Sequence, residues 1–227
     1  YRAQVGYPIG YFYGLKTAGV FQNQEQIDNY EGAMLSGTAP GDLIFVDMNK
    51  DGVIDMADRT MIGDPNPNMN LGLTVNLGYK GFDFSVTANG VFGNQIASSF
   101  HKVNHYKENY PSVLLGRWHG EGTSNRYPRL TADSSPNFMQ FNDIYIDNGD
   151  FLRIQNVTLG YDFKKLFPKM ILQQARLYVT VQNLYTFTGY YGSDPEIGTA
   201  PEGWSKGVDS GFYPIPRTVL VGANIKF

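Results

Sequence analysis

Residues 70–92, NLGLTVNLGYKGFDFSVTANGVF, leave the chain few choices of fold. Leu71, Leu73, Val75, Leu77 and Tyr79 alternate with Asn70, Gly72, Thr74, Asn76 and Gly78. Beyond Lys80–Gly81 the alternation resumes, with Phe82, Phe84, Val86, Ala88 and Phe92 set against Asp83, Ser85, Thr87 and Asn89. A period of two on both sides of a short turn predicts a β-hairpin. Tyr79 and Phe82 fall opposite each other, so both apolar rows share one face. The other face is small and polar. Such a ribbon suits half of a soluble sandwich or the wall of a membrane barrel, and the rest of the chain has to discriminate.

Three further alternating segments follow. Phe151–Phe163 switches parity: Leu152 and Ile154 are even, Val157, Leu159 and Tyr161 odd, which predicts a bulge near Gln155–Asn156. Residues 174–187 set Ala175, Leu177, Val179, Val181 and Tyr185 against Arg176, Tyr178, Thr180 and Gln182. In Arg217–Phe227, Val219, Val221, Ala223, Ile225 and Phe227 face one way, with Leu220 the apolar exception on the other side. The connections run short (Lys80–Gly81), long (Gly93–Asp150), intermediate (Lys164–Gln173) and long (Thr188–Pro216). In an up-and-down meander the short turns lie at one end and the long loops at the other, as in outer-membrane barrels. Tyr79, Phe82, Tyr161, Phe163 and Phe227 gather at the short-turn end as an interfacial girdle would.

Composition points the same way. Charged residues make up 17% of the chain, sparse for a soluble surface, and a sandwich would put Lys and Glu on its outer face. A net charge of −3 suggests no nucleic-acid partner, and the lack of cysteine excludes disulfides and thiolate metal sites. No apolar run is long enough for a membrane helix, which leaves a barrel open. Five to six strands fall short of the roughly eight that closure requires, and an open edge in lipid leaves backbone groups unpaired. The expectation is therefore an all-β chain forming the C-terminal portion of an antiparallel up-and-down transmembrane barrel. Its parts would be an extracellular loop region over 1–69 with a possible strand end, a transmembrane hairpin over 70–92, a long extracellular loop over 93–150, and three terminal strands over 151–227 interrupted by the loop 188–216.

Two loops invite a chemical reading. DMNKDGVIDMAD, residues 47–58, places Asp47, Asn49 and Asp51 at the first, third and fifth positions of an EF-hand-like loop, with Gly52 at the sixth. Val53 would offer its carbonyl, with Asp55 ninth and Asp58 twelfth, a set suited to Ca²⁺ or another divalent cation. Asp58 departs from the usual bidentate Glu, and no flanking helix pair is evident. The competing reading is a metal-free turn whose Asp and Asn side chains bond nearby amides. His101 and His105 are four apart without an evident third ligand, so solvated loop histidines are the expectation. Asn23, with Gln26 three residues on, suggests the start of a short helix. Loop carboxylates Asp147, Asp150, Asp194 and Glu196 could be paired for glycoside hydrolysis only at separations that sequence does not give. No nucleophile-elbow, zincin or phosphate-loop motif is present, so the chain is not expected to be an enzyme. The alternative to a membrane barrel is a soluble Ca²⁺-dependent β-sandwich adhesin or lectin.

The order of motifs resembles the C-terminal end of SusC/RagA-type TonB-linked outer-membrane transporters. The resemblance rests on YPIGYFYGLKTAGVFQ (7–22), the block from Gly41 to Val86, RWHGEGTSNRYPRL (117–130), DNGDFLRIQNVTLGYDF (147–163), ARLYVTVQNLYTFTGYYGSDPEI (175–197) and YPIPRTVLVGANIKF (213–227). It implies a plugged barrel of about 22 strands in the bacterial outer membrane. It further implies import of large nutrients such as oligosaccharides or peptides, energised by the TonB complex acting on an upstream region absent here. A SusD-like surface lipoprotein, outer-membrane lipid and the remainder of the barrel would be its partners. Substrate contacts would come from loop aromatics Trp118, Tyr127, Tyr190, Tyr191 and Trp204, although for any one of them packing the loops together is the favoured reading. Phe227 would be the barrel-assembly signal.

Overall fold

The computed structural model describes residues 2–98, 110–131, 140–197 and 206–227. The chain divides into two compact units: Tyr1–Asn66, Asn94–Asn148 and Tyr191–Phe212 form one, and Pro67–Gly93, Gly149–Tyr190 and Tyr213–Phe227 the other. The fold is all-β in its regular structure apart from short helical turns.

The second unit is one antiparallel sheet built from β1 (Met69–Tyr79), β2 (Phe82–Phe92), β3 (Phe151–Asp162), β4 (Gln174–Thr188) and β5 (Thr218–Lys226). Each strand pairs with the next along the chain, giving an up-and-down meander. Val75, Val86, Val157, Val181 and Val219 are successive register partners and form one line across all five strands. One residue away, Thr74, Thr87, Asn156, Gln182 and Thr218 form the matching polar line. The apolar face is open: Leu77 is 60% exposed and Val221 77%. Lys80 and Gly81, at φ 46° and 94°, make the β1–β2 turn, since two left-handed residues match the twist of a tight hairpin.

The parity switch in β3 is a bulge. Thr87 pairs with Asn156 and Ala88 with Ile154, leaving Gln155 unmatched. On the other side of β3, Gln182 pairs with Asn156 and Tyr185 with Ile154, so Asn183 and Leu184 oppose Gln155 alone. Asn183 takes φ 53°, a conformation that asparagine tolerates, and its amide donates to the Pro216 carbonyl at 3.0 Å. The two irregularities keep Ile154, Leu152, Tyr185 and Phe187 on the apolar side.

The polar face is fitted together across strands. Gly78, Asp83, Gly160, Tyr178 and Gly222 form another line of partners. Arg176 Nε donates to Asp83 Oδ1 at 2.8 Å, and the pair passes over Gly160, where a Cβ would sit 2.5 Å from that carboxylate oxygen. The Tyr178 ring likewise covers Gly222 and takes the Arg176 guanidinium 4.6 Å from its centroid. Glycine is required at 160 and 222 because a larger neighbour lies across each.

The first unit consists of short strands and loops around buried clusters. Phe12–Gly14 pairs with Thr60–Gly63, and Thr17–Val20 with Leu43–Phe45. Gln95–Ser98 lies between Ile146–Asn148 and Val208–Asp209, regular structure in a stretch whose sequence shows no periodicity. The helix Gln24–Asp28 is capped by Asn23, which accepts from the Gln26 amide at 2.9 Å. Leu15, Val20, Leu43, Phe45, Ile54, Leu114, Ile144 and Tyr145 form the largest core cluster.

Gly160→Val should force the Asp83–Arg176 pair apart and lower stability by about 1–3 kcal/mol, as overpacking does. Urea midpoints of the folded protein check this, and an unchanged midpoint refutes the role given to Gly160.

Candidate functional site

Two regions carry chemistry: the loop 47–58 with the segments stitched around it in the first unit, and the polar face of the sheet. On the sheet, uncharged groups dominate. Thr158 and Thr180 hydroxyls are 2.8 Å apart, those of Thr74 and Thr87 3.4 Å. Arg153 is buried and donates from Nε to Thr186 Oγ1 at 2.9 Å. The charged pair Asp83–Arg176 is internally neutral. This wall can bond water and polar solutes through hydroxyl and amide groups.

The loop 47–58 is organised by its own side chains. Asp47 accepts from the Lys50 amide at 2.6 Å and from the Gly52 amide at 2.8 Å. Asn49 Oδ1 accepts from the Asp51 amide, and Asp51 Oδ1 from the Val53 amide. Lys50 and Gly52 take φ 62° and 86°, which lets successive amides converge on these oxygens. Asp55 caps a single 3-10 turn, Met56–Asp58, by accepting from the Ala57 amide, and Asp58 returns the bond to the Asp55 amide at 2.8 Å. Asp58 is fully buried, and its other oxygen accepts from the Met48 and Asn49 amides at 2.8 and 3.4 Å. Burial by itself would raise its carboxyl. The amides of Asp55, Met48 and Asn49, with the Asp47 side chain, outweigh that and hold it below the usual aspartate value. Among the described residues no three His, Cys, Asp or Glu side chains are gathered as a metal site.

The loop aromatics are placed unequally. Trp118 and Tyr127 come together: the Trp118 amide donates to the Tyr127 carbonyl at 2.8 Å, and both rings pack on the largest core cluster. Burial pushes the Tyr127 phenol up, Arg126 beside it pulls it down, and Asp147 pushes it up again. Trp118 lies against Gly41, whose φ is 90°, and its indole N–H is buried without a partner among the described residues. Tyr190 is buried in the sheet unit. Tyr191 is 45% exposed, with its hydroxyl bonded to the Ser112 hydroxyl and accepting from the Val113 amide. Trp204, His101 and His105 lie outside the described residues.

Sequence reasoning missed the polar groups that hold these loops. Arg129 grips Asp42 with Nε to Oδ1 at 2.7 Å and Nη2 to Oδ2 at 3.3 Å, and Asp42 also accepts from the Ala39 amide. Asp143 accepts from the Thr17 hydroxyl at 2.6 Å and from its amide, and Asn125 from the Val20 amide. Thr17, Asp42, Asn125 and Arg129 sit in blocks whose order in the sequence was informative, but nothing local to one block names its partner in another.

Because the Asp58 carboxyl is depressed in the fold, its contribution is full above the unfolded value near 3.8 and is lost as pH falls through the lower folded value. Asp58→Asn should cost about 1–3 kcal/mol at neutral pH by misdirecting an N–H at the loop amides. It should also flatten the acid limb of a plot of melting temperature against pH. An unaltered acid limb in the variant counts against Asp58 as the loop's organiser.

No protein-family model matches the chain. It is 34% identical, over 98% of its length, to TonB-dependent receptor P3 of Formosa agariphila, of which it spans 22%. It is 31% identical, over 83% of its length, to TonB-dependent receptor SusC of Bacteroides thetaiotaomicron, of which it spans 18%. The fold matches the RagAB peptide importer in its open-open state with a TM-score of 0.70, over 99% of this chain and 23% of that one, at 21% identity. The chain thus spans about a fifth to a quarter of the length of the curated relatives it matches. In sequence it matches part of the TonB-dependent receptors, SusC among them, and in fold a part of the RagAB importer.

Proposed function

We propose that this chain is the C-terminal wall segment of an outer-membrane importer of large nutrients, oligosaccharide or peptide, driven by the TonB complex through a region outside this chain. The observation that carries the reading is the apolar face of the sheet, in line across five strands and open, backed by a polar face. Lipid satisfies the first face and a wet lumen the second. The Lys80–Gly81 turn lies at the periplasmic end, and the long connections leave the sheet at the external end. The open edges of β1 and β5 join the remainder of a barrel of about 22 strands. Phe227 at the end of β5 is its assembly signal. A SusD-like surface lipoprotein works with the external loops, where Tyr191, the half-exposed member of the aromatic set, is best placed to touch substrate. Trp118, Tyr127 and Tyr190 contribute by shaping the loops. The soluble adhesin or lectin is not favoured, because its apolar rows would be covered.

The test uses the natural full-length protein. It should fractionate with the outer membrane and migrate faster unheated than boiled. Val75→Arg should cost about 2–4 kcal/mol near the bilayer midplane and reduce the fast-migrating form. Deleting the gene should abolish growth on a large glycan or peptide while sparing growth on the corresponding monomers. A soluble, heat-insensitive protein overturns the reading.

The same proposal includes a Ca²⁺ ion at the loop 47–58, held by Asp47, Asn49, Asp51, the Val53 carbonyl, Asp55 and Asp58. Its support is hard oxygen donors at calcium-loop spacing, with Gly52 at the sharp turn. Binding has to compete with the loop amides that these oxygens already serve, so weak affinity is expected. Terbium luminescence displaced by Ca²⁺, and lost in Asp51→Ala, checks it. No saturable signal at millimolar ion leaves the loop a metal-free turn.

A further inference from the structure

The β3–β4 connection, FKKLFPKMILQ at 163–173, has three lysines and no acid. It is a built element. The Asp162 carboxylate accepts from the Lys164 amide at 3.0 Å and the Ala175 amide at 3.3 Å, tying both ends together. Amides of Leu166 and Phe167 donate to the Phe163 carbonyl, that of Met170 to the Phe167 carbonyl, and that of Gln173 to the Lys226 carbonyl. The folded turn overhangs the ends of β4 and β5. Phe163, Phe167, Met170, Ala175, Leu177 and Ile225, with part of Arg176 that exposes no polar surface there, line an open notch of about 270 Å³. Leu177 and Ile225 belong to the apolar row, so the notch opens on the apolar face at the short-turn end.

The exposed lining of the notch is wholly apolar. Outside it Ile171 is 95% exposed and Leu166 57%. The cations belong to the same turn. Lys164 is committed to the Met170 carbonyl at 2.6 Å. Lys165 and Lys169 are exposed and have no partner among the described residues. The Lys165 stem lies against Gly81, next to Lys80 of the neighbouring turn. The acids at this end are occupied: Asp162 by amides, and Asp83 by Arg176.

We propose that this element is a binding site for an anionic glycerophospholipid, with an acyl chain in the notch and the phosphate held by Lys165 and Lys169. The inference rests on the membrane reading above and goes beyond it, because general lipid contact requires neither a notch nor a pair of uncompensated cations on the turn that forms it. The lining selects hydrocarbon over a peptide segment, whose backbone N–H and C=O would be buried there unpaired. The uncompensated lysines select an anionic headgroup, and basic residues beside exposed apolar ones are the usual chemistry of an interfacial anchor.

Native mass spectrometry of the full-length protein, titrated with phosphatidylglycerol or phosphatidylcholine, tests this. Wild type should retain one phosphatidylglycerol in preference to phosphatidylcholine. Lys165→Gln with Lys169→Gln should weaken that retention roughly tenfold and leave phosphatidylcholine unaffected. Ala175→Phe, which fills the notch from an exposed face, should weaken retention of both lipids. A photocrosslinking residue at Met170 in cells should acquire the mass of a phospholipid. Equal retention of the two lipids by wild type, retention unaltered in the variants, or crosslinking of Met170 to a polypeptide overturns the proposal. Heat-modifiable mobility is read on every sample. Variants that migrate as folded barrels but retain lipid as wild type does refute the site alone. Absence of the folded form in wild type refutes the membrane reading, and the site with it.

Discussion

A strand paired one residue out of register turns its entire apolar row to the opposite face. In this sheet that constraint runs through five strands at once, and the line from Val75 to Val219 shows it satisfied. β3 carries the extra residue Gln155. Left alone, that insertion would send either Ile154 and Leu152 or Val157 and Leu159 to the polar side. The two-for-one arrangement at Asn183–Leu184 in β4 absorbs the kink, and the left-handed conformation of Asn183 makes room for it. The separate apolar and polar faces, and any function that uses them, depend on this pair of compensating irregularities.

On the first unit the organising force is different. Its strands are too short to hold one another by ladders alone. Segments distant in sequence are joined by side-chain bonds and, among the described residues, by ion pairs of which Arg129–Asp42 is the shorter and Arg126–Asp147 the longer. An arginine fork on a carboxylate that also serves a backbone amide fixes both position and orientation. With Trp118 seated on Gly41, the segment carrying Arg129 and that carrying Asp42 are held at two adjacent points. The loop 47–58 follows the same logic on a smaller scale, with Asp58 as its buried centre.

How much of this was legible in the sequence depends on the range of the interaction. The β1–β2 hairpin is readable because alternation is local and resumes after two residues; the left-handed conformation of Lys80 is not, since lysine has no preference for it. The bulge in β3 is readable because it breaks parity within that strand. Its counterpart in β4 is hidden: Val181 and Tyr185 keep the same parity whether or not a residue is left over between them. The Asp42–Arg129 pair is hidden for another reason, since neither residue differs locally from a solvated charge in a loop. The aromatic set divides likewise. Trp118 and Tyr127 read as exposed loop aromatics until the cluster they cover is known.

A mean hydropathy of −0.30 would place the chain among ordinary water-soluble proteins. The average conceals two opposite arrangements. In the first unit apolar side chains such as Tyr11, Phe12 and Ile96 are removed from water almost completely. In the sheet, apolar and polar residues largely alternate, so a window along a strand averages toward neutrality while the surface is divided into two unlike faces. The face that counts here is perpendicular to the chain, and only pairing the strands in register reveals it. That is why hydropathy along the sequence is uninformative for such a sheet while parity is decisive. It is also why glycine at 160 and 222 matters: on the polar face, the side chains that give the wall its chemistry cross over neighbouring strands, and the strand beneath must leave them space.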